Sequence, residues 1–173
     1  MNRSIILSLA AAAAALAGCA SLSPGPAATA LLAPTTGNTT GGNVRFAQQG
    51  DKVRVSGEIR GLQPNAEHGF HVHEKGDCSS GDGMSAGGHY NPSAAPHGRH
   101  GTGRQHAGDL QSLRADAAGV ARFSFESTGI SVGGGNADVV GKGLIVHRDA
   151  DDYTTQPTGN AGPRLACAVI ART

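Results

Sequence analysis

Tryptophan is absent from this sequence, and aromatic residues make up only 3% of its 173 positions. No tract has the 3.6-residue apolar periodicity of a long amphipathic helix, so helices are not expected to form its framework. The formal net charge is +1, which argues against nucleic acid as a partner because nucleic-acid-binding domains carry a basic surface. Turn-forming residues are plentiful instead, with 27 glycines and 8 prolines, and the length accommodates one domain plus a short extra segment.

The N-terminus has the organisation of an exported protein. Arg3 gives it a positive start, and residues 5–16 form an apolar run too short for a membrane span of about 20 residues. The next residues, Leu16-Ala17-Gly18-Cys19, resemble the bacterial lipobox, whose cysteine is acylated and becomes the first residue of the mature chain. We therefore expect residues 1–18 to be a signal peptide and Cys19 to attach the protein to a membrane through its lipid. The alternative is an ordinary signal peptide followed by an incidental cysteine.

The three cysteines fit this interpretation. If Cys19 carries lipid, Cys78 and Cys167 remain as a pair, and a disulfide between them would persist in an oxidising compartment. Two separate buried thiols are the alternative. Removal of residues 1–18 takes away the charge of Arg3 and leaves a net charge of zero. We expect the protein in the periplasm or cell envelope, anchored by lipid.

The outer membrane is favoured over the inner one for this anchor. Ala20 follows the acylated cysteine, where aspartate would resemble the lipoprotein signal for retention at the inner membrane. Serine, proline, glycine and alanine dominate residues 20–28, which is typical of a flexible tether. The expected organisation is a signal peptide at 1–18, the lipidated cysteine and its tether at 19–28, and one domain at 29–173.

Within that domain the apolar residues alternate with polar ones. Val53, Val55 and Ile59 alternate with charged or small residues, the pattern of a half-buried strand. Turn signals rich in glycine separate about eight such segments. They are residues 29–33, 43–48, 53–60, 68–74, 109–115, 120–125, 139–148 and 165–171. Eight short strands with no convincing helix predict an all-β domain, an antiparallel sandwich or barrel.

Two long segments, residues 76–105 and 149–163, do not fit strands. Loops of this length in a compact domain are usually either functional or disordered. Here they hold most of the chemically unusual residues, which favours a functional role.

Four of the eight histidines lie on predicted strands, and three of them, His71, His73 and His147, are candidate metal ligands. His71 and His73 are two positions apart, so their side chains leave the same face of a strand and could bind one metal ion. His147 ends another strand and could complete a nitrogen-rich site of the kind that suits copper and zinc. Solvated surface histidines are the alternative for all three.

A second group, His89, His97, His106 and Asp109, lies in and just after the first long loop. Three imidazoles and one carboxylate make a plausible tetrahedral zinc site. The alternative is a disordered histidine-rich tract, although such a tract would not need an aspartate at the edge of the next strand.

Four segments around these residues resemble the copper/zinc superoxide dismutase family, and the resemblance extends over residues 29–173. Their order and spacing match as well. They are His68-Gly69-Phe70-His71-Val72-His73-Glu74, Gly88-His89-Tyr90-Asn91-Pro92, His106-Ala107-Gly108-Asp109-Leu110 and Gly159-Asn160-Ala161-Gly162-Pro163-Arg164-Leu165-Ala166-Cys167. The resemblance implies an eight-stranded antiparallel Greek-key sandwich or barrel with two long functional loops. It also implies an enzyme, an oxidoreductase that converts superoxide to dioxygen and hydrogen peroxide with copper and zinc as cofactors.

The resemblance assigns the metal ligands residue by residue. It implies that copper is bound by His71, His73, His89 and His147, and zinc by His89, His97, His106 and Asp109. His89 belongs to both sets because one imidazolate bridges the two metals in this family. The family mechanism further implies that His89 passes one proton to the product.

The same comparison gives roles to other residues. Asp151 is expected to connect a copper ligand, His71, with a zinc ligand, His97, where a solvated acid is the alternative. Cys78 and Cys167 are expected to form the intrasubunit disulfide, and Arg164 to lie at the mouth of the copper site as a second catalytic residue. His68 matches a histidine that packs beneath the site without binding metal. His100 matches nothing in the family and is expected to be a solvent-facing loop residue.

The sequence also departs from the animal enzymes. Cys78 follows His73 by five residues, a spacing that resembles the bacterial branch. Lys75 stands where animal enzymes carry an apolar residue at their dimer contact, so a homodimer is possible but the animal-type dimer is not expected. Residues 149–163 contain no lysine to guide superoxide. Lys75, Arg99 and Arg104 could substitute for it, with ordinary solubilising charges as the alternative.

Two rival functions differ in which of these residues they need. A protein that stores or delivers copper and zinc would need the ligands but not Arg164 beside an open copper position. A sandwich domain with vestigial loops would need neither, and the presence of all seven ligand residues argues against it.

Overall fold

Ten β-strands and one short 3₁₀ helix make up the regular structure of residues 25–173, the part of the chain that the computed structural model describes. The strands are β1 (Ala27–Pro34), β2 (Gly41–Gln49), β3 (Lys52–Arg60), β4 (Glu67–His68), β5 (Phe70–His73), β6 (Leu113–Arg114), β7 (Ala121–Ser127), β8 (Gly143–His147), β9 (Arg164–Val169) and β10 (Ala171–Arg172). The helix spans Met84–Ala86. Within this part of the chain, no helix is long and apolar enough to cross a membrane. The predicted signal peptide, Cys19 and the tether up to residue 24 lie outside the described residues.

The alternating sequence pattern produces the strands as predicted. In β3, Val53, Val55 and Ile59 are fully buried, whereas Lys52 and Arg54, on either side of Val53, are exposed. Burial of each such valine or isoleucine stabilises the fold by about 1.5–3 kcal/mol relative to an exposed side chain. The strands therefore exist because one of their faces is removed from water.

The strands form an antiparallel sheet in the order β5-β8-β9-β1-β2-β3-β7, with β10 also paired to β1. Neighbours such as β5 and β8, or β3 and β7, are distant in sequence, which confirms the all-β architecture with crossing connections. The sheet curls around one hydrophobic core. Its largest buried apolar side chains include Phe46, Ile59, Phe70, Leu113 and Leu144.

The structure differs from the predicted strands in several places. The predicted strand 68–74 divides at Gly69 into β4 and β5. Of the predicted strand 109–115, only Leu113–Arg114 forms a strand, which pairs with β4 in a separate two-stranded sheet. Residues 139–142 form a turn before β8, closed by a hydrogen bond from the Lys142 amide to the Val139 carbonyl. At the other end of the domain β1 begins at Ala27, so the strand includes two buried residues, Ala27 and Ala28, that the sequence predicts in the tether.

Two long connections carry little regular structure, as the sequence indicated. The first loop, residues 74–112, joins β5 to β6 and contains the 3₁₀ helix. The second loop, residues 148–163, joins β8 to β9. Both begin at the end of a strand that carries histidines, and this position brings them together over one side of the sheet.

Candidate metal centre

Strand β5 has two different faces. Phe70 and Val72 point into the hydrophobic core, while His71 and His73 leave the opposite face. All four residues are buried, Phe70 and Val72 by the core and the two histidines by the loops that cover their face of the strand. Strand β8 pairs with β5 and ends at His147, whose ring lies 4.9 Å from that of His71 between centroids.

The first loop is held against the free edge of β5 by backbone hydrogen bonds. The amide of Tyr90 donates to the carbonyl of Val72 at 2.8 Å, and the amide of Val72 donates to Gly108 at 2.9 Å. The amide of Glu74 donates to Gly88 at 2.9 Å. These contacts place His89 opposite His73 and Asp109 opposite His71, as in a further pair of strands.

The first cluster consists of four buried histidines whose nearest ring nitrogens all lie within 4.8 Å of one another, namely His71, His73, His89 and His147. Nδ1 of His73 donates to the Gly87 carbonyl, and Nδ1 of His147 donates to the Gly162 carbonyl. Their Nε2 atoms are therefore both unprotonated when the rings are neutral, yet they face each other at 3.4 Å.

Two unprotonated nitrogens cannot form a hydrogen bond with each other. In addition, Nδ1 of His71 and Nε2 of His89 are buried without a hydrogen-bond partner among the described residues. Buried polar atoms without partners are rare and call for an explanation. A bound cation satisfies all four lone pairs at once, and nitrogen-only ligands of this kind suit copper.

The second cluster consists of His89, His97, His106 and Asp109, also buried and within 4.8 Å of one another. Oδ1 of Asp109 lies 2.9 Å from Nδ1 of His89, 3.0 Å from Nδ1 of His97 and 3.3 Å from Nδ1 of His106. Ligands placed tetrahedrally at zinc distances of 2.0–2.1 Å lie about 3.3–3.4 Å apart. The spacing and the three-nitrogen, one-carboxylate donor set therefore fit zinc.

His89 belongs to both clusters. Its Nε2 faces the first cluster, where it has no protein partner, and its Nδ1 faces Asp109 in the second. One imidazole ring thus separates the two candidate cation positions.

Asp151 connects the two clusters from the second loop. One carboxylate oxygen accepts a hydrogen bond from Nε2 of His71 at 2.7 Å, and the other accepts one from Nε2 of His97 at 2.8 Å. Each bond leaves Nδ1 of that ring free for a cation, so Asp151 sets the tautomer of one residue in each cluster. Gly159 packs so closely here, with φ of +66°, that any side chain would overlap Asp151 and His97.

Burial sets the protonation of the first cluster. It lowers the pKa of His73, lowers that of His89 to about 4 and lowers that of His147 to about 3, with repulsion from neighbouring histidines adding to the effect. These rings are therefore neutral at pH 7, which is the form that binds metal ions.

In the second cluster, a positive charge on His97 compensates the negative charges of Asp109 and Asp151. Burial lowers the pKa of His97, but the negative charge of the adjacent Asp109 carboxylate and the hydrogen bond to Asp151 outweigh this and raise it to about 9. Burial opposes ionisation of Asp109 and Asp151, yet hydrogen bonds from the surrounding histidines hold the pKa of both carboxyls well below the usual range. Without metal, His97 is a cation between two carboxylates, and a bound cation takes over that role.

An open cleft of about 610 Å³ reaches the first cluster at His73, His89 and His147. Arg164 is the only arginine or lysine among the described residues that line it. Two of its N–H groups donate to carbonyls of the first loop, at 2.7 Å to Gly83 and 2.6 Å to Gly87. These bonds hold the guanidinium in a fixed place at the cleft.

The other proposed guiding charges lie elsewhere. Lys75, Arg99 and Arg104 do not line this cleft, and all three are exposed. The guanidinium of Arg99 stacks on the ring of Tyr153, 4.1 Å from its centroid. The cleft thus presents the single cation of Arg164 rather than a series of lysines or arginines.

The predicted disulfide between Cys78 and Cys167 is confirmed. It joins the first loop to β9 and packs with Ala86 and Ile145 in a small apolar cluster outside the main core. The disulfide therefore anchors the part of the loop that holds Arg164 in place.

The two remaining histidines lie outside both clusters. His68 is fully buried, and its Nδ1 donates to the carbonyl of His147 at 2.9 Å, beneath the first cluster. His100 is half-buried rather than fully solvated, because its ring packs edge-on against Phe125 at 5.2 Å. Neither residue belongs to either group of potential metal ligands among the described residues.

Sequence reasoning missed two residues of the second loop. Gln156 bonds to the backbone of His97, and the hydroxyl of Tyr153 bonds to Glu67 and Ser112. A lone glutamine and a lone tyrosine in a loop carry no sequence signal for such contacts.

Comparisons with known proteins agree with this geometry. The family model described as "Copper/zinc superoxide dismutase (SODC)" matches residues 40–170. A Cu-Zn superoxide dismutase of Paramecium bursaria Chlorella virus 1 is 42% identical over 135 residues, covering 75% of this chain and 71% of the relative. One from Onchocerca volvulus is 38% identical over 151 residues, covering 81% and 94%. The crystal structure of the clock protein EA4 superposes with a TM-score of 0.76 at 41% identity, covering 86% of this chain and 94% of that one.

Proposed function

The chain belongs to the copper/zinc superoxide dismutase family, and on that premise we propose which residues bind its metals. Copper is bound by the first cluster, His71, His73, His89 and His147. Zinc is bound by the second cluster, His89, His97, His106 and Asp109. The activity is the disproportionation of superoxide to dioxygen and hydrogen peroxide, with copper and zinc as cofactors. The observation that carries the ligand assignment is the pair of buried clusters that share His89.

Bound copper supplies the one-electron oxidation and reduction that the reaction needs, whereas zinc has no redox chemistry. The protein contributes the positions of the ligands and of the protons. His89 lines the open cleft, and its Nε2 is buried without a protein partner, so it is the atom at which a proton can be held and passed to the peroxide product. Nδ1 of the same ring stays with Asp109, which keeps the ring oriented.

Arg164 binds the anionic substrate in this proposal. Its contacts to Gly83 and Gly87 use two of the five guanidinium N–H groups, and the remaining donors are available to superoxide. A planar guanidinium held by two backbone carbonyls is preorganised, so little side-chain entropy is lost when the anion binds.

We expect Arg164→Ala to lower kcat/KM for superoxide by about 10–150-fold, the cost of one charged hydrogen-bonding group. Copper and zinc contents should stay at the wild-type level, because Arg164 belongs to neither cluster. The measurement is the dismutation rate per bound copper, with Arg45→Ala as the control, since Arg45 is an exposed arginine on β2 whose loss changes the net charge equally. A loss of activity that is matched by an equal loss of copper would refute the assignment, and an inactive but metal-loaded wild type would favour metal storage.

We also propose that the protein is a bacterial, lipid-anchored member of the family in the cell envelope, more specifically at the outer membrane. The lipobox ending at Cys19 and the five-residue spacing from His73 to Cys78 support this. The disulfide adds support, because it leaves Cys19 as the one cysteine of the chain outside the bridge and because disulfides persist in oxidising compartments. The tether between lipid and domain would end where β1 begins, at Ala27.

This anchor predicts a shift in location when Cys19 is replaced. In a Gram-negative host, wild-type protein should appear in the outer-membrane fraction and incorporate labelled palmitate. Cys19→Ser should abolish the label and remove the protein from that fraction, while Ser21→Ala, in the same segment, should behave as wild type. Labelling that persists in Cys19→Ser, or wild type found in the soluble fraction, would contradict the proposal.

A further inference from the structure

The two long loops meet at the backbone of His97. The amide of His97 donates to Oε1 of Gln156 at 2.8 Å, and Nε2 of Gln156 donates to the carbonyl of His97 at 3.0 Å. One side chain of the second loop therefore satisfies both backbone polar groups of a residue in the first loop. The two residues are 59 positions apart in sequence.

This contact is different from the support given to the other residues of the second cluster. His89 and Asp109 lie opposite β5 as isolated pairs with His73 and His71. His106 is close to Asp109 in sequence, and its carbonyl accepts a hydrogen bond from the Asp109 amide at 3.2 Å. Within residues 25–173, the backbone of His97 has no hydrogen bond to other backbone groups, so Gln156 is its main-chain support.

The ring of His97 cannot compensate for a displaced backbone. Its Nε2 is bonded to Asp151 and its Nδ1 faces Oδ1 of Asp109 at 3.0 Å without forming a hydrogen bond. The next residue, Gly98, donates its amide to the other oxygen of Asp109 at 3.1 Å. A shift of the backbone at His97 would therefore move Nδ1 and disturb Asp109 at the same time.

A neighbouring contact holds the same segment. Arg99 stacks on Tyr153, whose hydroxyl bonds to Glu67 of β4 and to Ser112 of the first loop and whose amide donates to Asp151. The two loops are thus joined at residues 97 and 99, and of these two contacts that of Gln156 is made directly to a residue of the second cluster, at its backbone.

We propose that Gln156 is a positioning residue for His97 and that it controls how tightly zinc is retained. The inference rests on the proposed assignment of His97 to the zinc site. Gln156 does not contact the cation position. It fixes the backbone from which the His97 ring projects, and the energetic effect reaches zinc through that ring.

The test uses the full-length enzyme and the isosteric variant Gln156→Glu. Its carboxylate keeps an acceptor for the His97 amide, but it loses the donor and places a negative charge against the His97 carbonyl. Gln63→Glu is the matched control, because Gln63 is an exposed glutamine in the turn between β3 and β4 and its replacement changes the net charge equally. The readouts are the rate of zinc release to a chelator and the visible absorption spectrum of Co(II) bound in place of zinc.

We expect Gln156→Glu to release zinc about 10-fold faster than wild type and to alter the intensity and position of the Co(II) bands. Gln63→Glu should match wild type in both readouts, and the copper content of all three proteins should be equal. Wild-type zinc release and an unchanged Co(II) spectrum in Gln156→Glu would overturn the inference.

His97→Ala separates this result from a failure of the ligand assignment. If His97→Ala loses zinc and Gln156→Glu does not, the assignment stands and the role of Gln156 is wrong. If His97→Ala retains zinc with an unchanged Co(II) spectrum, the assignment of His97 is wrong, and the inference about Gln156 falls with it.

Discussion

Replacing His89 with alanine is expected to remove both metals and to lower the dismutation rate by more than about 100-fold. The loss of a residue that merely supports a ligand typically costs about 10–100-fold in affinity or activity, and His89 supplies one nitrogen to each cluster. Its removal opens the two cation positions to each other and leaves Oδ1 of Asp109 without its closest imidazole, at 2.9 Å. It also deletes the atom at which we propose that a proton is held for the product.

The measurement is the copper and zinc content per chain together with the rate of superoxide removal. His100→Ala is the matched control, because it is a half-buried histidine of the same loop that lies outside both clusters. We expect the control to keep both metals and full activity per metal. A His89→Ala protein that still holds one copper and one zinc per chain would show that the clusters do not share this residue.

Removing the disulfide should destabilise the fold by about 4–5 kcal/mol. The bridge closes a loop between residues 89 positions apart, and in the chain-entropy account a loop of this length restricts the unfolded chain by roughly that amount. Activity should fall too, since the bridge anchors the loop whose Gly83 and Gly87 carbonyls hold Arg164.

Denaturant unfolding of the metal-free double variant Cys78→Ser, Cys167→Ser, compared with metal-free wild type, measures this effect. Metal must be absent from both, because binding to the folded state would add its own stabilisation. Wild type treated with a reductant is the second comparison and should lose a similar free energy of unfolding. A difference below about 1 kcal/mol would mean that the folded metal-free chain does not depend on the bridge.

Much of the fold could be predicted from the sequence because a strand that is buried on one face carries apolar residues at every second position. Val53, Val55 and Ile59 show this pattern, and the structure confirms them as core residues of β3. The pattern failed where tertiary contacts decide the pairing. The sequence predicts a strand over residues 109–112, but in the structure these residues belong to the first loop. The hydrogen bond from the Val72 amide to the Gly108 carbonyl holds Gly108 and Asp109 against the edge of β5.

The candidate site was accessible from sequence to the extent that its chemistry requires particular side chains. Imidazoles and a carboxylate at fixed places in a long loop indicate metal binding, and the structure brings those seven residues into two clusters. Gln156 could not be found in this way. Its two bonds go to backbone atoms, which every residue possesses, so no second residue type needs to appear anywhere in the sequence for the contact to form.

The attachment of the first loop to β5 has a consequence beyond the metals. In the sheet order, β5 is an end strand, and its outer edge would otherwise offer unpaired backbone groups to any extended segment nearby. Three hydrogen bonds to the first loop occupy those groups: the amides of Val72 and Glu74 donate to Gly108 and Gly88, and the carbonyl of Val72 accepts from the amide of Tyr90. The segment that carries His89 and Asp109 therefore also protects this edge against strand addition by other molecules, so the covering of the edge and the geometry of the candidate metal centre depend on the same few hydrogen bonds.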